Sequence, residues 1–337
     1  MKKERLIIGM FSLIVILILG ACGSSKTSEE KAANNEASNT NNEEVLKIYT
    51  TLYPIEYFVE QIGADYVKVE SILPLGADAH TYEPTSKTMV DIAEADAFIY
   101  NGADMESYAA TIEEALEAEG VSILEAAKDV ALLDHVHDHE DEEASHDHNE
   151  NPEQTAEGNH DHGDKDPHVW LDPIRCISLA ENIKDLLVEL MPEAREEFEA
   201  NFSDLQTKLE KLDRDFHEKL EQTPRNEVLV THAAYGYWEE AYGIEQLAIS
   251  GLSSSNEPSQ KQLEQVIDTV KEHHIRYLLF EQNVEPKVAS VIQDETGVDS
   301  LYIHNLSTLT EEDVKNDEDY FTLMNRNLDT LIEALRE

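Results

Sequence analysis

Cysteine is nearly absent from this 337-residue chain: there are two, Cys22 and Cys176. Cys22 sits directly behind an apolar leader, so the folded part keeps one thiol and no partner for an intrachain disulfide. Stability must come from a packed core. Positive charge is also scarce, with 25 Lys and Arg against 72 Asp and Glu and a formal net charge of −47. That balance repels phosphate backbones and anionic surfaces, which excludes nucleic acid as a partner, and attracts cations only weakly and without selectivity. Long apolar runs are missing too. The longest, Leu6 to Leu19, has fourteen residues, short of the roughly 20 needed to cross a bilayer. Neither an HExxH helix nor the Gly and Lys pattern of a phosphate loop occurs. The Ser-rich "GLSSSNEPS" (251–259) therefore reads as a connector capping a helix near 258.

What is present begins with Lys2, Lys3 and Arg5 ahead of the apolar run, the pattern of a secretory signal over residues 1–21. The tetrapeptide "LGAC" resembles a bacterial lipobox, which implies that Cys22 is lipidated and holds the protein on the extracytoplasmic face of the cell membrane. Residues 22–44 are almost entirely Ser, Asn, Glu, Lys, Thr and Ala, too polar to bury a core. They are expected to act as a tether with a reach of about 25 Å.

From residue 45 onward short apolar runs alternate with amphipathic ones. "VLKIYTT" (45–51), "VKVESIL" (67–73), "AFIY" (97–100) and "VSIL" (121–124) read as strands, with helices near 54–62, 85–95 and 105–119. A second set follows: "VLVTH" (228–232), "IEQLAIS" (244–250), "YLLFEQ" (277–282) and "VDSLYIH" (298–304), with helices near 235–242, 258–273, 286–296 and 317–335. Strand–helix alternation predicts parallel sheets flanked by helices. Between the sets, Asp172–Pro173 opens a helix running to about Met191. Apolar residues at 198, 202, 205, 209, 212, 216 and 220 then mark one helix over 192–222, about 45 Å long at 1.5 Å per residue. The expected fold is α/β, with an N-terminal lobe (45–191), a rigid linking helix (192–222) and a C-terminal lobe (223–337). A stiff connector favours slight tilting of the lobes over wide hinging.

In open parallel sheets ligands bind beyond the carboxyl ends of the strands. His80 follows the 67–73 strand, His168 precedes a helix after the 121–124 strand, and His232 closes "VLVTH". Singly, these could be a loop, a capping and a core histidine. Together, neutral imidazoles facing one crevice supply the nitrogen-rich, borderline-soft set that zinc prefers.

"AHTYEPT" (79–85), "DPHVWLDP" (166–173) and "THAAYGYW" (231–238), with the long helix between the second and third, resemble the zinc/manganese solute-binding lipoproteins of ABC metal importers, the ZnuA/AdcA type. The resemblance runs from Leu46 to Arg336. It implies two α/β lobes with metal held between them as cargo, His80, His168 and His232 as ligands, and delivery to the importer's membrane permease. Members of the manganese type carry a carboxylate where His232 stands, which favours Zn(II) here. Relatives often place Glu or Asp where this chain has Ser307, a poor zinc ligand. The fourth position is then open to water, which ranks first, or to Glu281, His304 or a loop histidine.

The acidic loop 134–166 carries His135, His137, His139, His146, His148, His160 and His162. Closely spaced imidazoles bind metal, but each site must be ordered on binding, so these are expected to be auxiliary and weak. Manganese delivery, a surface adhesin or zinc store, and a zinc hydrolase are the competing functions. The hydrolase is disfavoured because only Glu281 could act as its general base. No catalytic residue is assigned, and a monomer is expected.

Overall fold

In the computed structural model, which describes residues 45–116, 118–134, 165–253, 258–282 and 287–336, the two sets of strands form two separate sheets. The first contains β1 (Leu46–Thr50), β2 (Val67–Ser71), β3 (Ala97–Tyr100) and β4 (Ser122–Glu125) in the order β2-β1-β3-β4, all parallel. The second contains β5 (Glu227–His232), β6 (Glu245–Ser250), β7 (Tyr277–Glu281) and β8 (Asp299–Ile303) in the equivalent order β6-β5-β7-β8, again parallel. In each sheet the chain first steps to one side and then to the other, creating a switch point between the two central strands. β3, β5 and β7 are almost wholly buried, as strands covered by helices on both faces must be.

The first sheet is flanked by α1 (Tyr53–Gly63), α2 (Ser86–Ala93) and α3 (Ala109–Leu116), followed by α4 (Pro173–Leu190). α3 starts four residues later than its apolar pattern predicts. Ala103 and Asp104 have positive φ, which no α-helix accommodates. The Glu106 carboxylate turns back to accept the backbone N–H groups of Asn101 and Gly102 at 2.9 and 3.0 Å. α4 starts as expected: Asp172 accepts from the N–H groups of Ile174 and Arg175, and Pro173 occupies the first turn.

The long helix α5 (Arg195–Leu220) is preceded by a 3-10 turn over Pro192–Ala194, so its α-helical part has 26 residues. It is not a free-standing strut. Phe198 packs edge-on against Tyr66 of the first lobe, and Phe216 lies against Trp238 and Tyr242 of α6 (Gly236–Tyr242) in the second. The second sheet also carries α7 (Gln260–Glu272) and α8 (Lys287–Thr296). Ser259 and Gln262 form a reciprocal capping box at the start of α7, the capping role read from the Ser-rich connector. A short helix, α9 (Glu311–Lys315), capped by Thr310 and Asp313, has no counterpart in the sequence reading. Five residues are too few for a helical period to show.

The last helix, α10 (Tyr320–Ala334), packs on β8 and α5 and returns to the first lobe. Tyr320 inserts against Tyr57 and Phe58 of α1, with ring centroids 6.0 and 5.2 Å away, and its hydroxyl donates to the Trp170 carbonyl. One continuous apolar core therefore runs through both lobes, from Leu46 to Leu335. A smaller one, including Leu229, Val270, Leu278 and Ile292, lies under α7 and α8. Sharing a core makes relative motion of the lobes costly, because separating them would expose buried aromatic surface. Among the described residues no helix is long and apolar enough to cross a membrane.

Candidate metal centre

His232 is the last residue of β5 and Glu281 the last of β7, so the switch point of the second sheet presents both at its carboxyl edge. His80 lies in the loop between β2 and α2, where Asp78 accepts its backbone N–H at 2.9 Å. That loop is fastened to the opposite lobe: Gly76 N–H donates to the Leu309 carbonyl and Thr308 Oγ1 to that of Ala77. His168 starts the 3-10 turn Val169–Leu171 that leads into α4. Asn101, at the end of β3, donates to the carbonyl of Pro167 and fixes this turn against the first sheet.

The three rings converge. His168 Nε2 is 3.3 Å from His80 Nε2 and 3.4 Å from His232 Nε2, and one nitrogen from each ring lies within 4.8 Å of the others. Ligands on a tetrahedral zinc with bonds of about 2.0–2.1 Å stand about 3.3–3.4 Å apart. His168 and His232 are almost fully buried, while His80 is partly exposed at the rim. A cavity of about 200 Å³ adjoins them, lined among others by Asp78, Met105, Trp170 and Ser307.

Two buried carboxylates stand behind the rings. Asp166 Oδ1 contacts His168 Nδ1 at 2.8 Å and accepts the same residue's backbone N–H at 3.0 Å. Glu281 Oε1 contacts His232 Nδ1, off the line of an ideal hydrogen bond. A carboxylate at Nδ1 keeps the proton there and turns the Nε2 lone pair toward the centre, the arrangement in which an imidazole binds a metal. Burial disfavours an imidazolium at His232, but the Glu281 carboxylate outweighs it and raises the pKa. Burial would likewise lift Glu281, yet His232, Asn305 and Thr231 together hold its pKa below the usual carboxylate range.

The other residues named for the fourth position are placed differently. Glu281 lines the cavity but is committed: Oε1 takes the Thr231 hydroxyl at 3.0 Å as well as His232, and Oε2 takes the Asn305 amide at 2.7 Å. His304 is not brought to the three rings. Its Nδ1 accepts the Leu306 N–H and its Nε2 pairs with Asp313, which leaves no nitrogen for a metal. Ser307 Oγ donates to Asn305 Oδ1. His135, His137, His139, His146, His148, His160, His162 and Cys22 lie outside the described residues.

Sequence reasoning missed Asp166, although Asp two residues before a histidine with Pro between them is a readable local turn. It also missed Tyr237, whose hydroxyl donates to the Asp166 carbonyl at 2.7 Å. Gly236 belongs to the same support: a Cβ there would stand 2.7 Å from Asp166 Oδ2, so a side chain would displace the carboxylate.

The same architecture has known counterparts. The family model described as the zinc-uptake complex component A, periplasmic (ZnuA) matches residues 48–334. The chain is 35% identical over 331 residues to the zinc-binding lipoprotein AdcA of Streptococcus pneumoniae, covering 98% of this chain and 60% of AdcA. It is 30% identical over 319 residues to the high-affinity zinc uptake system protein ZnuA of Bacillus subtilis, covering 95% and 94% of the two chains. The Zn(II)-bound ZnuA-like domain of S. pneumoniae AdcA superposes with a TM-score of 0.70 at 33% identity, over 87% of this chain and all of that domain. The chain thus spans about 60% of the length of AdcA and nearly all of the Bacillus protein. A match over most of the folded sequence, with three imidazoles converging within 4.8 Å, leads to one conclusion: this chain belongs to the ZnuA family.

Proposed function

We propose that this protein captures Zn(II) between its lobes, with His80, His168 and His232 as ligands, and hands it to the membrane permease of an ABC importer. The observation that carries the reading is the spacing of the Nε2 atoms, 3.3 and 3.4 Å, which matches adjacent ligands on tetrahedral zinc. Asp166 and Glu281 support it by holding the two buried imidazoles in the metal-binding tautomer. Three neutral nitrogens favour zinc over manganese, which prefers oxygen donors. Water is the fourth ligand in this reading, because Glu281 is held against His232 and His304 is engaged elsewhere.

ZnuA-family proteins are solute-binding components rather than enzymes. A hydrolase would need a general base within reach of a metal-bound water; of the two carboxylates lining the cavity, Glu281 already accepts from Thr231 and Asn305, and Asp78 accepts the His80 backbone N–H. Lipidation at Cys22, signal removal before it, lobe boundaries at 45–191 and 223–337 around the 192–222 link, and auxiliary zinc capture by the 134–166 histidines complete the proposal. The lipoprotein name of AdcA supports the anchor. Titration calorimetry with Zn(II) and Mn(II), together with metal analysis of the purified protein, tests it. One tight zinc per chain with manganese displaced is expected. Preferential manganese binding would overturn the zinc assignment.

A further inference from the structure

Asn305 sits in the loop after β8 and lines the same cavity as the three histidines, and every polar group it has is engaged around them. Its backbone N–H donates to Gln282 Oε1 at 3.0 Å, and its carbonyl accepts the Trp170 indole N–H at 2.8 Å. Its side-chain oxygen accepts from Gln282 Nε2, the Ser307 N–H and the Ser307 hydroxyl at 2.7, 3.0 and 2.9 Å. The Ser307 N–H can only donate, so the atom facing it must be the amide oxygen. The amide NH2 then points the other way, to Glu281 Oε2 at 2.7 Å.

That orientation has consequences at both ends. Glu281 is buried and lines the metal cavity. Held at Oε2 by Asn305 and at Oε1 by Thr231, it keeps Oε1 against His232 Nδ1. At the other end, the Trp170 ring lies 5.3 Å from that of His168, and its backbone carbonyl is held by Tyr320. Asn305 therefore bridges the supports of one imidazole in each lobe.

We propose that Asn305 is a positioning residue for the metal centre: its amide fixes Glu281 as the orienting partner of His232. Ser307 serves this role by setting the amide's direction. The proposal rests on the three histidines being the zinc ligands.

The test compares Asn305→Ala, Glu281→Gln, their double variant and His232→Ala in the full chain, using zinc affinity, the visible absorption bands of the Co(II)-loaded protein and the melting temperature of the metal-free protein. Asn305→Ala should weaken zinc about tenfold or more, the usual effect of losing an outer partner of a metal ligand. It should also alter the Co(II) bands while metal-free melting stays close to that of the parent. In the Glu281→Gln background it should add little, because it acts through Glu281. Unchanged affinity and bands, tighter zinc, or an effect that adds fully to Glu281→Gln would overturn the proposal. If Asn305→Ala does not fold, Ser307→Ala gives the decision: a smaller loss in the same direction with altered Co(II) bands supports it, and unaltered bands overturn it. Zinc binding unaffected by His232→Ala would instead remove the ligand assignment itself.

Discussion

His168 Nε2 and His232 Nε2 stand 3.4 Å apart although they are 64 residues apart in the chain and belong to different lobes. Each ring is backed by its own buried carboxylate, Asp166 or Glu281. Two Nε2 atoms this close need a shared proton or a cation between them, since two facing lone pairs would repel each other.

His232→Ala should weaken zinc binding at least a hundredfold, about 2.7 kcal/mol. It removes one of three nitrogens from a centre that has no fourth His, Cys, Asp or Glu donor grouped with them among the described residues, and leaves Glu281 without its buried partner. Calorimetric titration measures the change. A dissociation constant equal to that of the parent would take His232 out of the ligand set.

Asp166→Asn should cost about tenfold in affinity. The amide keeps the size of the side chain but can present its NH2 to His168 Nδ1, releasing the fixed tautomer. Gly236→Ala should act in the same direction through the 2.7 Å clash with Asp166 Oδ2. Competition with a chelating dye reads both, and affinities equal to the parent's would show that the carboxylate does not support the ring.

Zinc affinity should fall on acidification, starting from a higher pH than an ordinary imidazole would give. The His232 pKa is raised above its usual 6.5, so a proton competes with zinc for this ring at a higher pH than for a free imidazole. The sign for folding of the metal-free protein is the opposite. A raised folded pKa contributes stability that is fully present below about 6.5 and is lost as pH rises through the folded value. Glu281, whose pKa is lowered, contributes stability that disappears as pH falls below the carboxylate range. Zinc titrations and metal-free melting between pH 5 and 8 should therefore trend in opposite directions. Zinc affinity flat over that range would point to carboxylate ligands.

Deleting residues 135–163 should leave one tight zinc per chain and remove only weaker, additional binding. The flanking residues Asp134 and Lys165 form an antiparallel bridge and an ion pair, and Asp166 N–H donates to the Leu133 carbonyl, so the cut ends are already neighbours. Loss of the tight site in calorimetry would mean that the loop supplies an essential ligand.

Cys22→Ala should leave metal affinity intact and release the protein from the membrane fraction. Retention there after a high-salt wash would refute lipidation at this residue.

The repeated strand–helix alternation, hence two parallel sheets, was legible in residue order alone, because periods of 2 and 3.6 are local properties of side-chain order. Residue order also marked His80, His168 and His232, which stand beside strand ends or a helix start where parallel sheets bind ligands. It could not separate Glu281 from His304 as a fourth donor. Both are acid–base groups at the ends of neighbouring strands, β7 and β8. Which one faces the cavity depends on partners far away in sequence: Thr231 and Asn305 for the first, Asp313 and Leu306 for the second. The shared core was equally hidden. Tyr320 reads as one more apolar residue in the last helix, and only the tertiary structure returns it to Tyr57, Phe58 and the Trp170 carbonyl in the first lobe. Periodicity reports which side of an element is apolar, whereas the identity of the surface it meets is set by the packing of the whole chain.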